Sequence, residues 1–311
     1  MKEGVIQDYY SAIGIIKIIL PFLIIIEILK YFNLIIEISI VVYPLTSLLN
    51  LPVEFGMVLL LGLLTGVYGG VSSFFLLINP ETVTTAEVTT LASFILVSHA
   101  LPIEAKISSY LGVEYWKIIL FRIISAIIFS SLLTSIFSFF NLFQEKISVI
   151  NIITVMGENS IQNILIGPFI LCLEIGVIII LLHRLVFILK KWGVIVYLEK
   201  SLSPITRILK INKDISFSLL IGVLLGISYG GALLKKDFQE KSNISKEDKK
   251  KSIYFLNLMH SIIEDTALVL LIGANIFIVV IGRLLFSISV LLMLNLYWTH
   301  SIQKNPTKSS N

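Results

Sequence analysis

Almost the whole chain is a succession of apolar runs, each long enough to cross a hydrocarbon core of about 30 Å. Inside lipid no water satisfies backbone N–H and C=O groups, so a spanning segment must be helical or belong to a closed barrel. These runs are near-continuous and do not alternate with polar residues, which selects helices. They cover roughly residues 13–42, 55–78, 116–140, 164–189, 253–272 and 276–297, with another around His99. The 311 residues are 56% hydrophobic and 14% charged, which leaves little chain for a soluble domain. The expected fold class is an all-α polytopic membrane protein in contact with the lipid bilayer. The net charge of +4 suits loops rich in Lys and Arg and calls for no nucleic-acid partner. Cys172 is the sole cysteine, so disulfides within the chain and thiolate clusters are excluded. The first apolar run follows Glu3 and Asp8 and lacks a small-residue cleavage site, so it is expected to remain as a membrane helix.

The second half of the chain repeats the first. His260 follows His99 by 161 positions, and the same offset relates Phe255 to Phe94, Gly273 to Gly112, Arg283 to Arg122 and Asp265 to Glu104. Tyr68-Gly69-Gly70 recurs as Tyr229-Gly230-Gly231, and Gly62/Gly66 recur as Gly222/Gly226 one position earlier than that spacing. Matches among Ile and Leu would mean little here, whereas rare His and Arg residues falling in register mark a duplication. A unit this long is a transporter-type internal repeat and not a solenoid. The expected organisation is a first repeat over 1–140, a connection over 141–163, a second repeat over 164–300 and a polar tail over 301–311.

Loop charges set the relative orientation of the repeats. The second glycine-rich run is flanked by Lys190, Lys191, Lys200, Arg207, Lys210 and Lys213 on one side. A cluster of seven lysines lies on the other, between residues 235 and 251. The equivalent loops of the first repeat carry Glu54, Glu81 and Glu87, and no Lys or Arg occurs between residues 31 and 97. Cytoplasmic loops are enriched in Lys and Arg. Both loops of repeat two are therefore expected inside and both loops of repeat one outside. The repeats are then inverted, each with three crossing helices plus a glycine-broken or re-entrant element. Both termini come out cytoplasmic in the plasma membrane. The helix breaks are expected at Gly69-Gly70 and Gly230-Gly231, where glycine reaches positive φ at little cost; close helix packing is the competing role.

Ionisable residues at membrane depth are costly and usually face a partner or a water-filled path. His260 and Glu264 are spaced to share a helix face, with Asp265 adjacent. Pro102 kinks the chain between His99 and Glu104 and would bring that pair together. The repeat-related pairs are thus the expected substrate or ion centre, able to carry a proton or a divalent metal. A structural tie between helices is the alternative. Arg122 and Arg283 either pair with these carboxylates or snorkel to the interface. Tyr68 and Tyr229 offer hydroxyls or pack. Asn79, Asn257, Asn275, Glu27, Glu37 and Glu174 are polar positions without an assigned role. Walker A, dinucleotide-fold and HExxH motifs are absent and no nucleophile is evident, so neither an enzyme nor a resident cofactor is expected.

The two copies of GxxxG…YGG, each followed by a histidine and nearby acid, resemble the Gate domain superfamily. That group holds the nucleoside recognition domain proteins, the gate segments of ferrous iron transporter B, the spore maturation proteins and the concentrative nucleoside transporters. The resemblance covers nearly the whole chain and implies paired gate repeats whose broken helices line a substrate path. It implies no particular substrate, since the superfamily handles ions and nucleosides. No GTPase domain precedes the gates, and the extra helices of a concentrative nucleoside transporter are not found. The expected function is a permease moving a small polar solute or ion, nucleoside-like or a divalent cation, by alternating access driven by an ion gradient. The competing reading is a non-transporting membrane protein that assembles with a partner subunit or a second copy of itself. Accessibility tags placed at residues 81–87 and at 241–246 are expected to report opposite membrane faces; the same face for both would contradict inversion.

Overall fold

The computed structural model describes residues 2–147 and 161–304. Most of the expected 141–163 connection and all but the first residues of the 301–311 tail lie outside the described residues. The protein is an all-α polytopic membrane protein, and the described residues include six helices long and apolar enough to cross a membrane. The first half comprises α1 (Lys2–Tyr31), α2 (Ile35–Ser39), α3 (Tyr43–Leu48), α4 (Phe55–Thr65), α5 (Val67–Leu77), α6 (Thr85–Ser98), α7 (Leu101–Tyr110) and α8 (Tyr115–Phe140). The second comprises α9 (Ile161–Lys191), α10 (Val194–Ile208), α11 (Lys213–Leu225), α12 (Ile227–Glu240), α13 (Lys246–Leu258), α14 (Ile262–Leu271) and α15 (Arg283–Lys304). A wide helical turn at Ile278–Gly282 leads into α15.

The duplication is visible in local chemistry. Thr84 caps α6 by accepting from the Glu87 N–H at 3.2 Å, and Ser245 caps α13 by accepting from the Asp248 N–H at 3.0 Å. Gly112 and Gly273 both take positive φ, at 105° and 90°, where α7 and α14 end. Phe94 and Phe255 are both fully buried. The repeats meet where α1 packs on α9, α5 on α14, α7 on α12, and α8 on α13 and α15. Phe129 stacks on Phe286 with ring centroids 4.7 Å apart, and the Asn257 side-chain amide donates to Ser108 Oγ at 2.8 Å.

The glycine-rich runs do turn back, but not at the glycine pairs. The breaks fall at Gly66 (φ 105°) and Gly226 (φ 106°), while Gly69-Gly70 lies inside α5 and Gly230-Gly231 inside α12. A Cβ built on Gly70 would stand 3.4 Å from Gly62 Cα, and one on Gly230 only 2.2 Å from Gly222 Cα. Residues so spaced would be about 12 Å apart along a straight helix, so each run is a hairpin folded at Gly66 or Gly226. Here both of the weighed roles apply: Gly66 or Gly226 supplies the turn, and one glycine of each pair, Gly70 or Gly230, supplies the close approach of the arms. The 11-residue arms of the first hairpin are each about 16 Å long, roughly half a hydrocarbon core.

Three crossings separate one hairpin from the other: α6–α7, α8 and α9. An odd number places the hairpins on opposite membrane faces, so the two repeats are inverted. Two expected loops prove partly helical, because α12 extends to Glu240, α13 begins at Lys246 and α6 begins at Thr85. Capping by Ser245 and Thr84 extends helix into segments whose charge suggests coil.

Close approach of the arms predicts an unequal response to the same substitution. Gly230→Ala puts a methyl into the Gly222 backbone and is expected to destabilise by about 2–3 kcal/mol. Gly70→Ala meets the movable end of Ile95 at 3.1 Å and is expected to cost less than half as much, read as thermal unfolding in detergent.

Candidate functional site

Two of the six spans are discontinuous, and both break at the duplicated histidines. α6 stops at His99 and α7 begins after Ala100 (φ 46°); α13 stops before His260 and α14 begins after Ser261 (φ 54°). A break at this depth strips backbone carbonyls of their helical partners. Matching side chains reach the carbonyls around the break in each repeat. His99 Nδ1 bonds the Ile95 carbonyl at 3.1 Å, and His260 Nδ1 bonds the Leu256 carbonyl at 2.9 Å. Arg122 Nε donates to the Val97 carbonyl and Arg283 Nε to the Leu258 carbonyl, each at 2.8 Å. The hairpin tips join in: the Ala100 N–H donates to the Gly62 carbonyl at 3.1 Å and the Ser261 N–H to the Gly222 carbonyl at 3.4 Å. Pro102 is not the cause of the break, since repeat two breaks at the matching place without a proline. Both arginines are buried, at 0% and 1% exposure, so the snorkelling alternative is set aside.

The two histidines meet across the repeat interface, Nε2 to Nε2, at 3.1 Å. Glu104 joins both. Its Oε1 lies 3.2 Å from His99 Nε2 and 3.1 Å from His260 Nε2, while Oε2 accepts from Arg122 Nη1 at 2.5 Å. Asp265, its repeat mate, reaches His99 Nε2 at 3.4 Å through Oδ2. All four ligand-type residues are buried. Each Nδ1 faces a carbonyl, which only accepts, so the proton of each neutral ring sits on Nδ1. The two Nε2 atoms and Glu104 Oε1 then form a nearly equilateral triangle of acceptors with sides of 3.1–3.2 Å.

Of the expected pairings, His99 with Glu104 forms and His260 with Glu264 does not. The break after His260 rotates Glu264 off the histidine's face, and Glu264 turns the other way. It accepts from Tyr68 Oη at 2.6 Å and lies 3.8 Å from His183 Nε2. There it lines a cleft of about 230 Å³ with His183, Arg184, Lys190 and Tyr229. Tyr68 is thus a bonded site neighbour, whereas its mate Tyr229 is half-exposed, with Lys190 Nζ 4.9 Å from its ring centroid. Sequence reasoning missed His183, which carries no repeat partner to flag it, and left Asn257 unassigned although it ties the repeats through Ser108.

Compared with known proteins, the chain is similar to the uncharacterized membrane protein YvoD of Bacillus subtilis (strain 168), at 22% identity over 276 residues, covering 87% of this chain and 86% of that one. No family model matches. No solved structure matches.

Removing Arg122 would leave the Glu104 carboxylate and the Val97 carbonyl buried without their donor. Arg122→Ala is expected to lower stability by about 3–5 kcal/mol, and Arg122→Lys, which has no fork, is expected to recover less than half. Substituting the exposed Lys106 is expected to leave the unfolding temperature near that of the parent.

Proposed function

We propose that this protein is a permease of the gate type, resident in the plasma membrane, that moves a small cation through the repeat interface by alternating access. The observation that carries this reading is the burial of His99, His260, Glu104 and Asp265 where two interrupted helices cross, one from each inverted repeat. Buried ion pairs are often replaceable by apolar residues with no loss of stability. A chain that retains this many ionisable groups at such depth is using them.

The cleft adds a route. Glu264 faces it and precedes Asp265 in the first turn of α14, so a cation drawn to Glu264 stands one residue from the centre. The basic residues around the cleft support a cytoplasmic opening by the positive-inside rule. Small-molecule sites usually occupy about 300–1,000 Å³, more than the roughly 230 Å³ here. Ligand atoms 3.1–3.4 Å apart leave space for an ion and none for a nucleoside. Among the solutes that the gate resemblance allows, an ion therefore fits best. Inverted hairpins whose tips bond both histidine breaks would let one repeat rock against the other about a fixed centre.

Purified protein in sealed vesicles, with an internal indicator for protons and another for divalent cations, tests this. Flux is expected above protein-free vesicles, and at least a tenfold loss is expected in Glu104→Gln and His260→Gln variants that still elute as folded protein. Background flux of cations and nucleosides alike would contradict the reading and favour a partner-assembling membrane protein.

A further inference from the structure

We propose that His99, His260 and Glu104 bind one divalent first-row transition-metal ion through Nε2, Nε2 and Oε1, with a fourth position open towards Asp265, and that this ion is the cargo. The second clause rests on the permease reading; the first does not.

The geometry points to a metal over a proton. Three acceptor atoms stand 3.1, 3.1 and 3.2 Å apart, and all lie within 4.8 Å of one another. One proton makes a full bond to two of them and leaves the third facing a lone pair. A metal joins all three at once. With metal–ligand bonds of about 2.0–2.1 Å, tetrahedral ligands are separated by about 3.3 Å, and an ion over this triangle would sit about 1 Å above its plane. The observed sides match that separation without rearrangement. Asp265 Oδ2, buried and without a hydrogen-bond partner, stands 3.4 Å from His99 Nε2, beside the three-ligand set and not part of it.

The surroundings are those of a metal site. Both imidazoles are oriented by a bond from Nδ1 to a backbone carbonyl, the usual outer-shell arrangement for a ligating histidine. Glu104 is fixed in turn by Arg122. The carbonyl ends of α6 and α13 converge on the same point and carry partial negative charge. Two imidazoles favour transition metals over Na⁺, Mg²⁺ or Ca²⁺, which prefer oxygen-only shells. Arg122 draws charge from Glu104, and three ligands hold less tightly than four. Both effects suit an ion that must leave as well as enter.

The test uses full-length protein purified in detergent, stripped with chelator and titrated with Zn²⁺, Mn²⁺ and Co²⁺ by calorimetry. X-ray absorption of the Zn²⁺ form then reports the ligands. One equivalent is expected, with a nitrogen/oxygen shell at about 2.0–2.1 Å that includes two imidazoles. Binding is expected to weaken at least 100-fold in His260→Gln and in His99→Gln, and Co²⁺ is expected to show the visible absorption of four-coordination. Should those variants fail to fold, the native protein's absorption spectrum decides alone. No stoichiometric binding, an oxygen-only shell or unchanged affinity in folded variants would overturn the site. Stoichiometric binding without flux in vesicles would uphold the site and remove its role as cargo. Proton flux without metal binding would overturn the site and leave the permease reading standing.

Discussion

An opened helix inside lipid is the constraint on which the rest of this structure depends. Each unpaired backbone group there costs several kcal/mol, so a chain that breaks a spanning helix must supply donors for the carbonyls it exposes. Here an arginine from the following helix supplies one to the Val97 or Leu258 carbonyl, and the histidine at the break bonds the carbonyl four residues back, which in repeat one also keeps its helical N–H. The buried guanidinium then needs a carboxylate, and the Glu104 carboxylate needs more donors than Arg122 provides. The remaining oxygen, Oε1, faces Nε2 of a histidine from each repeat, so only a proton or cation shared with them makes up the shortage. Backbone accounting thus leads from a broken helix to a charged centre spanning the interface.

Symmetry builds the centre, and departures from symmetry give it direction. Glu104 is one methylene longer than Asp265, and only Glu104 reaches both histidines and an arginine. The position matching Glu264 in repeat one is Ile103, so the Tyr68–Glu264 bond has no counterpart around Tyr229. The cleft beside Glu264 is built chiefly from repeat-two residues. An inverted pair with identical lining would favour neither face; here one face carries the polar approach.

Much of this was legible in the sequence, for physical reasons. Apolar run length fixes helices in lipid. His99, Arg122 and their mates stand out because such residues are rare at membrane depth and recur at one spacing. The hairpins were legible from loop charge, but their turns were not. Gly69-Gly70 is the more conspicuous pair, whereas the positive φ falls on Gly66, and nothing local separates a turning glycine from one that lets two arms touch. Helical spacing misplaced Glu264, because it assumes an unbroken helix between His260 and Glu264. The breaks at Ala100 and Ser261 carry no glycine and only one nearby proline, so they could not be read locally. His183 approaches Glu264 only through the packing of α9 against α14, a long-range fact with no sequence marker.

The central claim is that Glu104 of one repeat and His260 of the other form a single buried unit. A double-mutant cycle measures this most directly, using Glu104→Gln, His260→Gln and the double variant, with denaturant unfolding in detergent as the readout. The account predicts strong non-additivity, with the double variant losing less than the sum of the single losses by about 1–3 kcal/mol. Additive losses would mean that the two side chains do not meet, and the interface centre would fall with them.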